Sequence, residues 1–272
     1  MNDSNKPWLS IITVCYNDAK NLKRTLQNIR EQKIKRVQLI VVDGDSSDHT
    51  ASVIQDFQDV ITDWISEKDE GLYFAMNKGI RLAKGDYVVF LNAGDVFHDP
   101  QVISYIYNHH ENKDILYGDA VFVDQEGRFK SRRHKKIPKE LNWLSFRNGM
   151  VICHQALIVK KTKTLFYDTQ YQVCADLDWA IRITQGAEST RNLGITVCDF
   201  QRGGISDQRR NTALLERWRI QQKHFGLKAT LWSHLKIPMA FLLWKWEGLK
   251  WKVPAVAFQI KIEKASLNKN GT

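Results

Sequence analysis

Val37-Gln38-Leu39-Ile40-Val41-Val42-Asp43-Gly44-Asp45 places a nearly unbroken apolar run before an acid-glycine-acid turn. A short run rich in β-branched residues reads as a strand buried on both faces of a parallel sheet. The same arrangement recurs in Tyr87-Val88-Val89-Phe90-Leu91, which leads into Asn92-Ala93-Gly94-Asp95. In an open α/β sheet, ligands bind where strands end at their carboxyl edge. Two acids at two such edges can therefore meet over one ligand. A purely structural protein gains little there, because burying an unpaired charge is costly.

Working outward, Leu9 to Val14 reads as a first strand, followed by a helix with Leu22, Leu26 and Ile29 on one face. Ser46-Ser47-Asp48 caps a helix carrying Val53, Ile54 and Phe57, and Ile61 to Ile65 is a short strand. A helix through Ala75, Met76, Ile80 and Leu82 stops at Gly85 as its C′ glycine, and Asp99-Pro100 opens another. This alternation predicts an α/β fold, a Rossmann-type, mostly parallel sheet flanked by helices. From 114 the pattern is richer in strands. A hairpin is expected over Ile115–Val123 and Arg128–Arg133, and strands over Met150–Val159 and Gly194–Phe200. Helices are expected over Leu177–Ile183 and Asn211–His224.

The 272 residues, 43% hydrophobic and 26% charged, suffice for a full core. Cys15, Cys153, Cys174 and Cys198 form no CxxC pair, which fits free thiols in a reducing compartment. Met1 to Trp8 lacks the apolar core of a secretion signal, so a cytoplasmic location is expected. The net charge of +10 is uneven: residues 224–272 hold eight lysines and two glutamates, and Arg128 to Lys139 holds seven basic residues without an acid. Such patches imply an anionic partner. In the tail, Trp232, Trp244, Trp246 and Trp251 alternate with lysines, and no charge-free run approaches the ~18 residues of a membrane span. The expected form is a C-terminal amphipathic helical appendage at the membrane–water interface, against the plainer reading of tryptophans packed on the core.

Asp95 can reach a divalent cation that also holds phosphate oxygens; Mg²⁺ or Mn²⁺ prefers such hard ligands. Its plain alternative is a turn-capping aspartate. Asp43 can accept hydrogen bonds from a ribose or a base. Asp176, at the start of a helix backed by Trp179, Ile181 and Ile183, is the candidate base, with N-capping as its alternative. His154 and Gln155, in an otherwise apolar run, are candidates for the acceptor side against a satisfied core pair.

Taken together, Thr13-Val14-Cys15-Tyr16-Asn17, Val42-Asp43-Gly44-Asp45-Ser46, Glu67-Lys68-Asp69-Glu70-Gly71, Ala75-Met76-Asn77-Lys78-Gly79 and Leu91-Asn92-Ala93-Gly94-Asp95 occur in order. The series resembles the family-two inverting glycosyltransferases of GT-A fold, most of all those of bacterial exopolysaccharide, colanic-acid and O-antigen clusters. Asp176-Leu177-Asp178-Trp179 with Arg182 looks like the late acid motif, and Gly203-Gly204-Ile205-Ser206 like the loop after the last strand. The resemblance implies a glycosyltransferase domain over residues 1–222, with a nucleotide-sugar half (8–100) and an acceptor half (114–222), and a membrane-associating tail over 223–272.

By that resemblance Thr13, Tyr16, Asp43, Asp45, Asn77 and Asn92 line the nucleotide pocket, with Asp43 and Asp45 alternatives for the base contact. Asp95 holds Mg²⁺ or Mn²⁺, Asp176 is the general base, and His154, Gln155 and Trp179 face the acceptor. Relatives often carry further acids where this chain has Asn92 and Gly94, and an aspartate where it has Phe74. The implied donor is a UDP- or GDP-sugar. The implied acceptor is a lipid-linked saccharide at the inner face of the cytoplasmic membrane, in surface-polysaccharide synthesis. Other classes fit less well. A nucleic-acid binder would gather basic and aromatic residues in one groove, a sugar nucleotidyltransferase would open with a glycine-rich phosphate loop, and a noncatalytic scaffold would not need both Asp95 and Asp176.

Overall fold

The computed structural model describes residues 6–32, 36–133, 135–204 and 208–246, with side chains described up to 232. The first half builds β1 (Leu9–Cys15), α1 (Ala19–Glu31), β2 (Val37–Asp43), α2 (Thr50–Asp56), β3 (Asp63–Ser66), α3 (Leu72–Leu82) and β4 (Tyr87–Phe90). Its strands lie in the order β3-β2-β1-β4, all parallel. Every residue of β1 and β4 is buried, as expected for strands covered on both faces. Cys15 stands level with Asp43, so the turns after β1 and β2 emerge side by side.

The second half contributes β5 (Val96–Phe97), α4 (Val102–His109), β6 (Ile115–Val123), β7 (Phe129–Arg132), β8 (Leu157–Lys160), α5 (Ala175–Gly186) and β9 (Thr190–Gln201). It continues the same sheet with mixed polarity. β8 runs antiparallel to both β4 and β6, β9 runs parallel to β6, and β5 and β7 pair antiparallel with β9 and β6. The helix α6 (Arg210–Trp246) is broken at Gly226 (φ 77°), where the chain divides into two compact units.

Three local expectations change. The segment before β8 is not strand: Ala156 N–H turns back to Cys153 O, so His154–Ala156 forms a 3-10 turn and the strand begins at Leu157. Gly85 does not cap α3, which ends at Ala83 in extended geometry. A Cβ at Gly85 would stand 2.6 Å from Ser10 N, so close backbone approach is what requires glycine there. α4 begins at Val102, after Asp99 O has accepted from its N–H at 3.1 Å.

The core beneath the site is aromatic. Trp179 meets Phe90 edge-on at 5.8 Å and stacks on Tyr167 at 5.0 Å. Burial of such rings is the largest favourable term in holding α5 to β4. No helix among the described residues is long and apolar enough to cross a membrane. Trp251, the side chains of Trp244 and Trp246, and Ile205-Ser206 of the expected loop lie outside what is described.

Candidate active site

The site lies over the carboxyl edge of β1, β2 and β4. Asn17 (φ 48°) joins the first two turns: its side-chain oxygen accepts from Ser47 N–H at 2.8 Å, and its own N–H donates to Ser46 Oγ at 2.7 Å. Asp43 is 1% exposed, and its carboxylate accepts from Ser46 N–H at 3.1 Å, Ser66 Oγ at 2.6 Å and the Ser46 hydroxyl. Its acceptor capacity is largely spent on the loop. Asp45 (φ 66°) is exposed beyond it. Tyr16, 65% exposed, lays its ring against Gly44, while the Thr13 hydroxyl is buried without a partner.

An ion-paired group to which the sequence motifs give no role stands beside this pocket. Lys78 Nζ lies 2.6 Å from Asp69 and 2.7 Å from Glu67. Burial works against the Lys78 ammonium, but the hydrogen bonds it donates to the two carboxylates outweigh it and raise its pKa. The acids at 67 and 69 followed by a lysine on α3 are the signal that could have found it.

Asp95 follows Gly94, whose φ of 96° and 2.7 Å Cβ approach to Gln201 exclude a side chain. Thr25 of α1 fixes that turn, donating to Asp95 O at 2.8 Å and accepting from Gly94 N–H at 3.0 Å. The Asp95 carboxylate accepts from Gln155 Nε2 at 2.8 Å and from Gln201 N–H at 2.9 Å. Burial raises its pKa to about 6, against those hydrogen bonds and the charges of His154 and Arg24.

Gln155 leads to the second acid. His154 Nδ1 lies 3.8 Å from Oδ2 of Asp176, in the first turn of α5, and His154 Nε2 is buried without a partner. The approach to α5 is held by Glu216 of α6, a residue the sequence does not single out. Its carboxylate accepts three successive backbone N–H groups, Gln172, Val173 and Cys174, at 2.7–2.9 Å. The structure thus brings Asp95, Gln155, His154 and Asp176 together.

Two expected site residues have other work. Asn77 is buried and clamps Tyr167, donating to its carbonyl at 2.9 Å and accepting from its N–H at 2.7 Å. Trp179 is 1% exposed and gives its indole N–H to Leu165 O at 2.7 Å, so it faces core and not acceptor. Asp178, unassigned from sequence, is fully buried between Arg182, Lys223 and His224. A separate cleft of about 480 Å³, lined by Lys6, Trp8, Tyr87, His110 and Lys160, adjoins the amino ends of β1 and β4, away from these acids.

Among the described residues no three His, Cys, Asp or Glu side chains form a metal cage. The donors present nevertheless suit a hard cation. Each Asp95 oxygen retains acceptor capacity, and Asn92 Oδ1 and Gln155 Oε1 are buried oxygens without partners.

The model of the family described as Glycosyl transferase family 2 matches residues 10–166, more than half of the chain. The chain belongs to glycosyl transferase family 2. It is similar to the PGL/p-HBAD biosynthesis glycosyltransferase of Mycobacterium bovis, with 30% identity over 74% of this chain and 80% of that protein. An uncharacterized glycosyltransferase of Mycobacterium tuberculosis is 28% identical over 76% and 80% of the two chains. The mannosyltransferase PcManGT from Pyrobaculum calidifontis, solved with GDP-Man and Mn²⁺, superposes with a TM-score of 0.61 at 18% identity, over 97% and 81% of the chains. S. aureus TarS 1-349 in complex with UDP-GlcNAc gives 0.61 at 16% identity, over 79% and 70%. The mixed sheet with flanking helices is thus the GT-A fold of a family 2 glycosyltransferase.

Proposed function

We propose that this family 2 protein transfers a sugar, with inversion, from a nucleoside-diphosphate sugar to a saccharide acceptor, using a divalent cation. The observation that carries the reading is the link from Asp95 through Gln155 and His154 to Asp176. One acid sits in a buried oxygen-rich nook. The other, with its side chain 27% exposed, is free to meet a hydroxyl.

In this reading Tyr16 covers the base, Asp45 takes a polar group of the nucleoside, and Asp43 with Thr13 shapes the pocket wall. Asp95, with the oxygens of Asn92 and Gln155, would hold Mg²⁺ or Mn²⁺, which neutralises charge on the departing diphosphate as a Lewis acid. The acceptor hydroxyl approaches Asp176, which removes its proton as the oxygen attacks the anomeric carbon. His154 flanks that carboxylate at 3.8 Å, and Leu177 N–H donates to its other oxygen at 2.9 Å. No covalent enzyme intermediate is required, because a single displacement inverts the centre.

Neighbours solved with UDP-GlcNAc and with GDP-Man and Mn²⁺ support a nucleotide-sugar donor and a cation. The basic, tryptophan-rich tail supports a lipid-linked acceptor in surface-polysaccharide synthesis and a peripheral position on the inner membrane face. A panel of nucleotide sugars, read by thermal shift with and without Mn²⁺ and then by nucleotide release with acceptor, tests the reading. Stabilisation by one donor class that needs the cation is expected; indifference to every nucleotide refutes it. Flotation of the full chain with anionic and with zwitterionic vesicles tests the membrane component. Preference for the anionic vesicles is expected, and failure to float with either kind removes that component.

A further inference from the structure

Arg133, Lys135 and Arg217 lie on or against the segments next to those that carry Asp176 and His154, and among the described residues none of them forms an ion pair within 4 Å. Arg133, just after β7, donates to Cys153 Sγ and, at 3.2 Å, to Met150 O. Cys153 directly precedes His154. Arg217 lies on α6 one turn from Ala213, whose carbonyl accepts from the Cys174 thiol at 3.5 Å, and one turn from Gln221, which donates to Arg147 O at 3.2 Å; Cys174 is two residues before Asp176. Lys135 Nζ donates to Asn148 O at 2.6 Å, on the same stretch that Arg133 reaches. The two arginines therefore lie beside the segments that lead into His154 and into Asp176, and Lys135 feels the charge of both.

The trio differs from the other strongly placed cations. Lys78, Lys163, Arg182 and Lys223 each meet one or more carboxylates within 4 Å. Desolvation and the like charges of Arg133 and Arg217 instead pull the Lys135 pKa below its ordinary range. The trio's mutual repulsion is offset by hydrogen bonds to Cys153 Sγ, Met150 O and Asn148 O, but among the described residues by no carboxylate within 4 Å. A multivalent anion would supply that negative charge, and guanidinium forks match phosphate oxygens in geometry.

We propose that Arg133, Lys135 and Arg217 form a subsite for a phosphate or pyrophosphate ester carried by the acceptor, beside the hydroxyl that Asp176 activates. The inference rests on the reading of Asp176 as the base. It deepens that reading by specifying the acceptor: a saccharide that carries its phosphate near the attacked hydroxyl, so that the enzyme extends the chain close to its phosphorylated end. Both a lipid-linked pyrophosphate and a soluble sugar phosphate share that chemistry.

The test uses the full chain in EDTA, with calorimetric titration of inorganic pyrophosphate. The wild type is expected to bind, the double variant Lys135→Gln/Arg217→Gln to bind at least ten-fold more weakly, and Lys135→Arg to retain affinity. Lys135 holds only the Asn148 carbonyl, and an unchanged melting temperature in the double variant verifies folding. Farnesyl pyrophosphate, run in parallel, identifies the source. Tighter binding than pyrophosphate that is lost in the double variant supports a lipid-linked ester, and equal affinity supports a soluble one. No pyrophosphate binding by the wild type, or wild-type affinity in the double variant, overturns the subsite. Competitive displacement by UDP or GDP with Mn²⁺ does so too, because the anion would then occupy the donor site. Nucleotide binding with Mn²⁺ is measured separately on the same samples. Its absence in the wild type defeats the glycosyltransferase mechanism and leaves the pyrophosphate affinities, and what they say of the subsite, unchanged.

Discussion

The side-chain amide of Gln155 donates a 2.8 Å hydrogen bond to Asp95 across 60 positions of chain. It holds one carboxylate oxygen in place and opposes the burial that keeps Asp95 near a pKa of about 6. Partners of this kind typically contribute a factor of about 10–100 in metal affinity. Gln155→Leu is therefore expected to weaken Mn²⁺ binding in the presence of nucleotide by about that factor, and Asp95→Asn to abolish it. Calorimetry with Mn²⁺ and the best nucleotide checks both. Unchanged affinity in Asp95→Asn removes that residue from the metal site.

Asp176→Asn keeps the shape of the side chain and removes its basicity. Its expected effect is a loss of roughly 10²–10⁴-fold in kcat, the range of general-base contributions, with nucleotide affinity unaltered. Initial-rate kinetics with product analysis measures the first and titration the second. A variant that turns over at the wild-type rate excludes Asp176 as the base.

Asn77 distinguishes a structural role from the nucleotide contact expected from sequence. Asn77→Ala leaves the buried N–H and C=O of Tyr167 unpaired, at a cost on the order of 3 kcal/mol. Urea unfolding should report that loss, whereas the affinity of the folded variant for nucleotide should stay within about two-fold. A large fall in nucleotide affinity with unaltered stability would restore Asn77 to the pocket.

Asp178 sets an acid limit. Burial opposes its charge, but hydrogen bonds from His224 and Arg182, with Lys223 nearby, hold its pKa down to about 2. An unfolded aspartate titrates near ~3.9. The folded state therefore binds fewer protons between these values, and this contribution to stability is complete above about pH 4 and lost as pH falls toward 2. Asp178→Asn strands the Arg182 and Lys223 cations and should cost about 3–5 kcal/mol at neutral pH. Its stability should also be flatter than wild type between pH 4 and 2. Melting temperatures that fall in parallel for variant and wild type across that range would expose a different origin.

The parallel half was legible because its signals are local. The run Val37–Val42 needs two-sided cover, and Leu22, Leu26 and Ile29 define a helix face without reference to anything distant; all are buried as that reading requires, apart from Val37 at the strand start. The mixed second half was harder. His154 and Gln155 sit in an apolar stretch that looks like strand, yet one backbone hydrogen bond at Cys153 turns it into a 3-10 segment. Which polar side chains face the ligand is a property of packing. Asn77 and Trp179 carry the residue types of a site, but partners 90 and 14 positions away claim them. Glu216 was invisible for the opposite reason: nothing in its neighbourhood marks a helix glutamate as the cap of a distant loop.

The junction between β4 and β8, where Tyr87 faces Lys160 and Val88 faces Val159, has a consequence for anyone dissecting the enzyme. The parallel first half and the mixed second half share one hydrogen-bonded ladder, so they are not interchangeable modules. A fragment ending near residue 100 would bare the fully apolar flank of β4, an open edge that invites self-association. Chimeras that exchange acceptor preference should carry the partner strand along with the loops it supports.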